Sequence, residues 1–126
     1  MRHTPEHITE LADNEIFCFG SNTRGRHGKG AALQALQQFG AEYGVGEGIA
    51  GQSYAFPTLD ENLAKLSECE LLSSIRILRA TAEALPEKVF LLTRVGCGLA
   101  GFTEDYMKSL FARIELPSNV IKPEGW

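Results

Sequence analysis

Two stretches of this chain combine glycines with flanking residues in a way that brings bare backbone close to an anion. The first is SNTRGRHGKGAAL, residues 21–33, in which Gly28 and Gly30 flank Lys29 and Ala31 and Ala32 follow. The second is RVGCGLAGF, residues 94–102, in which Gly96, Gly98 and Gly101 give the string G-x-G-x-x-G. Each runs from an apolar segment into a helical pattern. Amide groups at a helix start have no intrahelical acceptor, and with the helix dipole they favour phosphate. Glycines let that backbone approach the anion without a Cβ in the way.

Neither string decides the chemistry alone. Gly20 and Gly25 have the spacing of a P-loop, but Arg26 and His27 stand where lysine and a hydroxyl residue are required. The second string also fits a dinucleotide fold of the NAD type, with Glu124 as the acidic residue. Only a short stretch follows it, however, and the sheet would be built in the wrong order. Side chains able to take part in hydrolysis are few. Asn22 can orient a hydroxyl, His27 titrates near neutrality, and Asp60, next to Leu59, is a carboxylate. Each has a plainer reading: Asp60 as the cap of a helix starting near Glu61, and His27 as a phosphate or solvent contact. Cys97 reads as a small buried residue rather than a nucleophile. Arg94 either pairs with an acid at the sheet rim or reaches a ligand phosphate. Tyr43 and Tyr54 read as core, and Lys65, Glu68 and Glu70 as a solvated face.

The elements that must position these loops follow from periodicity. Ile16–Gly20 is a buried strand. Ala32, Leu33, Leu36 and Phe39 carry a helix that ends at Gly40. Ser53–Phe56 is a strand stopped by Pro57. Glu70–Leu85 is the clearest helix, with Leu71, Ile75, Leu78 and Ala82 on one face. Val89–Thr93 is a strand apolar on both faces. Thr103 is an N-cap for a helix reaching Arg113, and Asn119–Ile121 is a last strand. The polar opening holds a short helix over Glu6–Ala12. The alternation predicts α/β architecture with a parallel sheet covered on both sides.

Composition bounds the partners. The 126 residues fit one domain, residues 1–126, and the 44% hydrophobic content allows a core. A net charge of −4 excludes binding to nucleic acid by bulk electrostatics, although Arg24, Arg26 and Lys29 cluster within six residues. Cys18, Cys69 and Cys97 form no C-x-x-C pair, so neither a metal site nor a disulfide framework is expected. No signal-peptide core or membrane-length apolar run is present, which makes a reducing cytoplasm the expected location.

At the two loops the chain resembles macrodomains. GRHGKGAALQALQQFG is similar to their first ligand loop and helix, and RVGCGLAGF to their second. The closest branch includes terminal ADP-ribose glycohydrolases and bacterial enzymes that remove ADP-ribose from DNA. The likeness spans residues 16–121. It implies a three-layer α/β/α sandwich with a mostly parallel sheet, holding ADP-ribose across the strand ends without any cofactor. By that likeness, Gly96–Phe102 wraps the diphosphate, through Gly96, Cys97, Gly98, Leu99, Ala100 and Gly101, with Phe102 covering the ligand. Gly28, Lys29, Gly30 and Ala31 face its other side, with Gly20, Ser21, Asn22, Thr58 and Arg94 around it.

Three departures stand out. Leu59 occupies the place of the branch's attacking lysine, Ala100 that of its acid, and no glycine-aspartate pair opens the chain to read adenine. The expectation is therefore a binder of ADP-ribose or a related nucleotide diphosphate. The alternatives are a hydrolase that removes ADP-ribose from protein or nucleic acid, with Asn22, His27 and Asp60 as catalytic candidates, and an NAD-type dinucleotide-binding protein.

Overall fold

The computed structural model describes residues 2–126. β1 (Glu15–Asn22) lies at the centre of a five-stranded sheet. β3 (Ser53–Leu59) flanks it on one side and β4 (Val89–Leu92) on the other, both parallel to it. β5 (Val120–Ile121) extends the sheet beyond β4, also in parallel. β2 (Gly48–Ala50) is the antiparallel edge beside β3. The sequence reading missed β2 because three residues among glycines carry no periodicity to detect.

Side chains alternate across the pleat, and the alternation sorts the core into two layers. Ile16 and Cys18 of β1, Tyr54 and Phe56 of β3, and Phe90 and Leu92 of β4 face one side. There they meet the apolar stripe of α2 (Glu68–Ala84), including Leu71, Ile75 and Leu78, and Met107, Leu110 and Phe111 of α3 (Glu104–Ala112). Phe17, Phe19, Ala55 and Leu91 face the other side, against Ala35 of α1 (Gly30–Gln38) and Phe39 beyond its end. The α/β sandwich expected from sequence is the fold observed.

Local chemistry explains most boundaries. α1 stops because Gly40 takes φ +77, so that the Ala41 amide turns back to the Ala35 carbonyl. α2 begins at a capping box: the Ser67 hydroxyl accepts from the Glu70 amide while the Glu70 carboxylate accepts from the Ser67 amide. Thr103 caps α3 as expected, accepting from the Tyr106 amide.

Three expectations fail. Residues 6–12 form no helix; they run as an irregular segment whose backbone is tied elsewhere. Pro57 does not stop β3, which continues to Leu59. Opposite β2 the strand is paired only as far as Ala55, so the donor that proline lacks has an open side to fall on. Asp60 caps no helix: its carboxylate accepts from the Asn62 and Ala64 amides and closes a tight turn.

Candidate functional site

The chain leaves β1 through α1 toward β3 and leaves β4 through α3 toward β5. Neighbouring parallel strands whose connections depart in opposite directions open a crevice at their carboxyl ends, the usual ligand position in open α/β sheets. The two glycine loops leave the two strands that bound that crevice, one on each side. At their root the strands are close: a Cβ placed on Gly20 would stand 3.3 Å from the Gly96 nitrogen. Beside them, Ala31 and Gln34 of α1 and Thr93 after β4 line one cavity of about 250 Å³. Phe17 and the segment Glu6–Thr9 complete its lining.

Both loops present free donors. In the second loop the amides of Val95, Cys97, Gly101 and Phe102 bond to Thr93, Arg94, Gly98 and Gly96 carbonyls. Those of Gly96, Gly98, Leu99 and Ala100 have no acceptor among the described residues. In the first loop the amides of Gly28, Lys29, Gly30, Ala31 and Ala32 are equally free. The starts of the three helices differ in the same sense. α2 and α3 have side-chain caps and acids in the first turn. α1 has neither, so its positive end is left uncompensated. Gly28 and Gly98 face open space.

The side chains proposed for catalysis are otherwise engaged. Asn22 donates from Nδ2 to the Arg26 carbonyl and accepts at Oδ1 from the Arg26 amide, so both ends of the amide brace the loop. His27 is only 1% exposed and lies edge-on to Phe19, with ring centroids 5.1 Å apart. Neither ring nitrogen has a hydrogen-bond partner. Burial holds its pKa below the ordinary imidazole value, with the Val45 backbone opposing. It is a core histidine, not a phosphate or solvent contact; its loop position hid this because the loop turns inward at that residue. Asp60 is tied to its turn through Oδ1.

The other candidates fall as follows. Ser21 and Thr58 are buried at the sheet's rim, with the Thr58 hydroxyl donating to the Ser21 carbonyl. Cys97 is half-buried, and burial pushes its thiol up to about 11, so it is no ready nucleophile. Arg94 pairs with the carboxylates of Glu6 and Glu104, the acid-pairing alternative read from sequence. Phe102 stacks on Tyr106. Leu99 is fully outward at 78% exposure.

One residue was misread. Tyr43, expected in the core, is exposed, with its ring 6.3 Å from that of His27. Lys65 is exposed, as expected of a solvated face, and it also reaches the second loop: Nζ donates to the Gly101 carbonyl at 3.2 Å and lies 5.1 Å from the Phe102 ring centroid. The Asp60 turn folds Lys65 back to pair with Leu59. The only signal for this in sequence is the pair of turn formers Asp60 and Asn62.

Among the described residues no cluster of His, Cys, Asp and Glu could hold a metal ion, and no helix is long and apolar enough to cross a membrane. No family model matches the chain, and no curated protein or solved structure is similar to it.

Proposed function

We propose that this protein binds ADP-ribose or a closely related nucleotide diphosphate in the crevice between the loops after β1 and β4. One observation carries the reading. Two sets of unclaimed backbone amides, at Gly28–Ala32 and at Gly96 and Gly98–Ala100, follow the adjacent parallel strands β1 and β4. Such paired donor sets suit a pyrophosphate, whose oxygens accept from several N–H groups at once. The cavity under Ala31 and Thr93 gives the rest of the nucleotide a partly apolar neighbour in Phe17 and Ile8. The likeness of both loops to those of macrodomains supports the same ligand.

Binding is favoured over hydrolysis. Asn22, His27 and Asp60 are each held by the fold, and Leu59 and Ala100 supply no acid, base or nucleophile. Calorimetry with ADP-ribose tests the reading; no heat at millimolar ligand counts against it. Binding of NADH in its place would favour the dinucleotide alternative. Release of free ADP-ribose from modified protein or nucleic acid would restore the hydrolase.

A further inference from the structure

The second loop begins at Arg94, and four of its five guanidinium N–H groups are engaged. Nε and Nη2 donate to the Glu6 carboxylate at 3.0 and 2.6 Å, Nη1 donates to Glu104, and Nη2 also donates to the Glu124 carbonyl at 3.1 Å. With two carboxylates around one cation, the cluster carries a net negative charge. That is an unfavourable neighbour for a phosphate group a residue or two away.

The two acids are not held alike. Glu104 sits in the first turn of α3. Glu6 sits in a three-residue strap, Pro5 to His7, exposed throughout. One end of the strap is anchored by Thr4, whose amide bonds to the Lys122 carbonyl and whose hydroxyl donates to that of Ile121. The other end is anchored by buried Ile8, whose carbonyl accepts from Gln34 of α1. Between these anchors the Arg94–Glu6 pair is the strap's only side-chain tie among the described residues. Glu6 and His7 also line the cavity shared by Ala31 and Thr93. The strap is thus both a wall of that cavity and the occupant of the guanidinium beside it.

Resting on the binding reading above, we propose that Arg94 is a ligand-binding residue held in reserve by Glu6, whose carboxylate occupies the guanidinium edge that a nucleotide phosphate takes. An exposed ion pair is weak, whereas a phosphate accepts from the same donors with more charge and a matching bidentate geometry. Binding therefore exchanges one anion for another on Arg94, and the strap moves off the cavity between its two fixed ends. Removing the internal anion removes a competitor, so the apparent affinity of the site rises.

The test compares the wild-type chain with Glu6→Gln by calorimetry, using ADP-ribose and, separately, inorganic pyrophosphate. We expect Glu6→Gln to bind both about fivefold more tightly, the weight of one exposed ion pair. Binding by Glu6→Gln alone would support the proposal more strongly. Equal or weaker binding by the variant, with the wild type binding, overturns the role of Glu6 and leaves the binding reading intact. Absence of binding by both proteins overturns the two together. A second measurement needs no variant: carboxyl NMR of wild-type Glu6. Its pKa is lowered by the Arg94 hydrogen bond in the free protein and should return to the ordinary range when pyrophosphate saturates the site. An unchanged value with pyrophosphate bound shows that the pair persists and refutes the exchange.

Discussion

Asn22 clasps Arg26 by both backbone groups, with Oδ1 accepting the Arg26 amide at 3.1 Å and Nδ2 donating to its carbonyl at 3.0 Å. The amide side chain therefore sets the shape of the first loop. Asn22→Ala should cost about 1–3 kcal/mol, since both backbone partners lose a bond in a largely buried place. Asn22→Asp should be at least as harmful, because it sets an acceptor against the Arg26 carbonyl. Both should weaken ADP-ribose binding by loosening the loop. Thermal unfolding together with calorimetry checks this. An Asn22→Ala protein of unchanged stability that loses binding outright would place Asn22 on the ligand instead.

His27 gives the fold a pH dependence with a definite sign. Its folded pKa lies below the ordinary value because burial disfavours the charged ring. Between that depressed value and about 6.5, the unfolded chain binds more protons than the folded one. Stability is therefore complete above about pH 6.5 and declines as pH falls through the window, by up to about 1.4 kcal/mol per pH unit. Melting temperatures at pH 7.5 and 5.5 should differ in the wild type and differ less in His27→Phe, which keeps the edge-on contact with Phe19 and removes the titration. An identical drop in both proteins would assign the acid sensitivity elsewhere.

The fold was largely legible because its signals are periodic. IFCFG and VFLL are apolar on both faces, as strands buried between two helix layers must be, and the α2 stripe repeats at helical spacing over seventeen residues. Loop positions followed from the glycines. What the loops' side chains do was not legible. His27, Asn22 and Lys65 have types that serve equally as ligands or as braces, and the choice depends on where the backbone turns. A one-residue change of direction buries His27 against Phe19. A turn at Asp60 folds Lys65, still exposed, back to the Gly101 carbonyl. Such short-range geometry leaves no period in a sequence. β2 escaped for the same reason.

Lys65 should matter more to binding than to stability. Its bond to Gly101 is exposed, so Lys65→Met should change stability by no more than about 0.5 kcal/mol. The bond nonetheless ties the turn after β3 to the far end of the second loop, beside the ring of Phe102. Freed of it, the loop should hold its amides less well arranged, and ADP-ribose affinity should fall severalfold. Lys65→Arg, which can still reach the carbonyl, should recover part of the loss. Calorimetry on the three proteins decides the point, and equal affinities would reduce Lys65 to a surface contact.

The glycines of the second loop separate folding from binding. Gly96 has φ +79, and a Cβ there would lie 3.1 Å from Cδ2 of Phe102 and 3.3 Å from Cγ2 of Thr58. Gly96→Ala combines left-handed strain with crowding and should destabilise the fold by about 2 kcal/mol. Gly98 has no such constraint: no atom lies within 4 Å of where its Cβ would be, and its φ is not in the left-handed region. Gly98→Val should leave the melting temperature nearly unchanged, as a surface substitution does. Its side chain would nevertheless project into the space that a pyrophosphate needs in order to reach the free amides of Gly98, Leu99 and Ala100. Affinity for ADP-ribose should drop at least about tenfold, close to 1.4 kcal/mol of binding free energy. Gly28→Val tests the opposite wall in the same way, since its Cβ also meets open space. Loss of binding in both variants, without loss of stability, is what a ligand gripped from two sides demands. If either valine binds ADP-ribose as well as the wild type does, that wall does not touch the ligand.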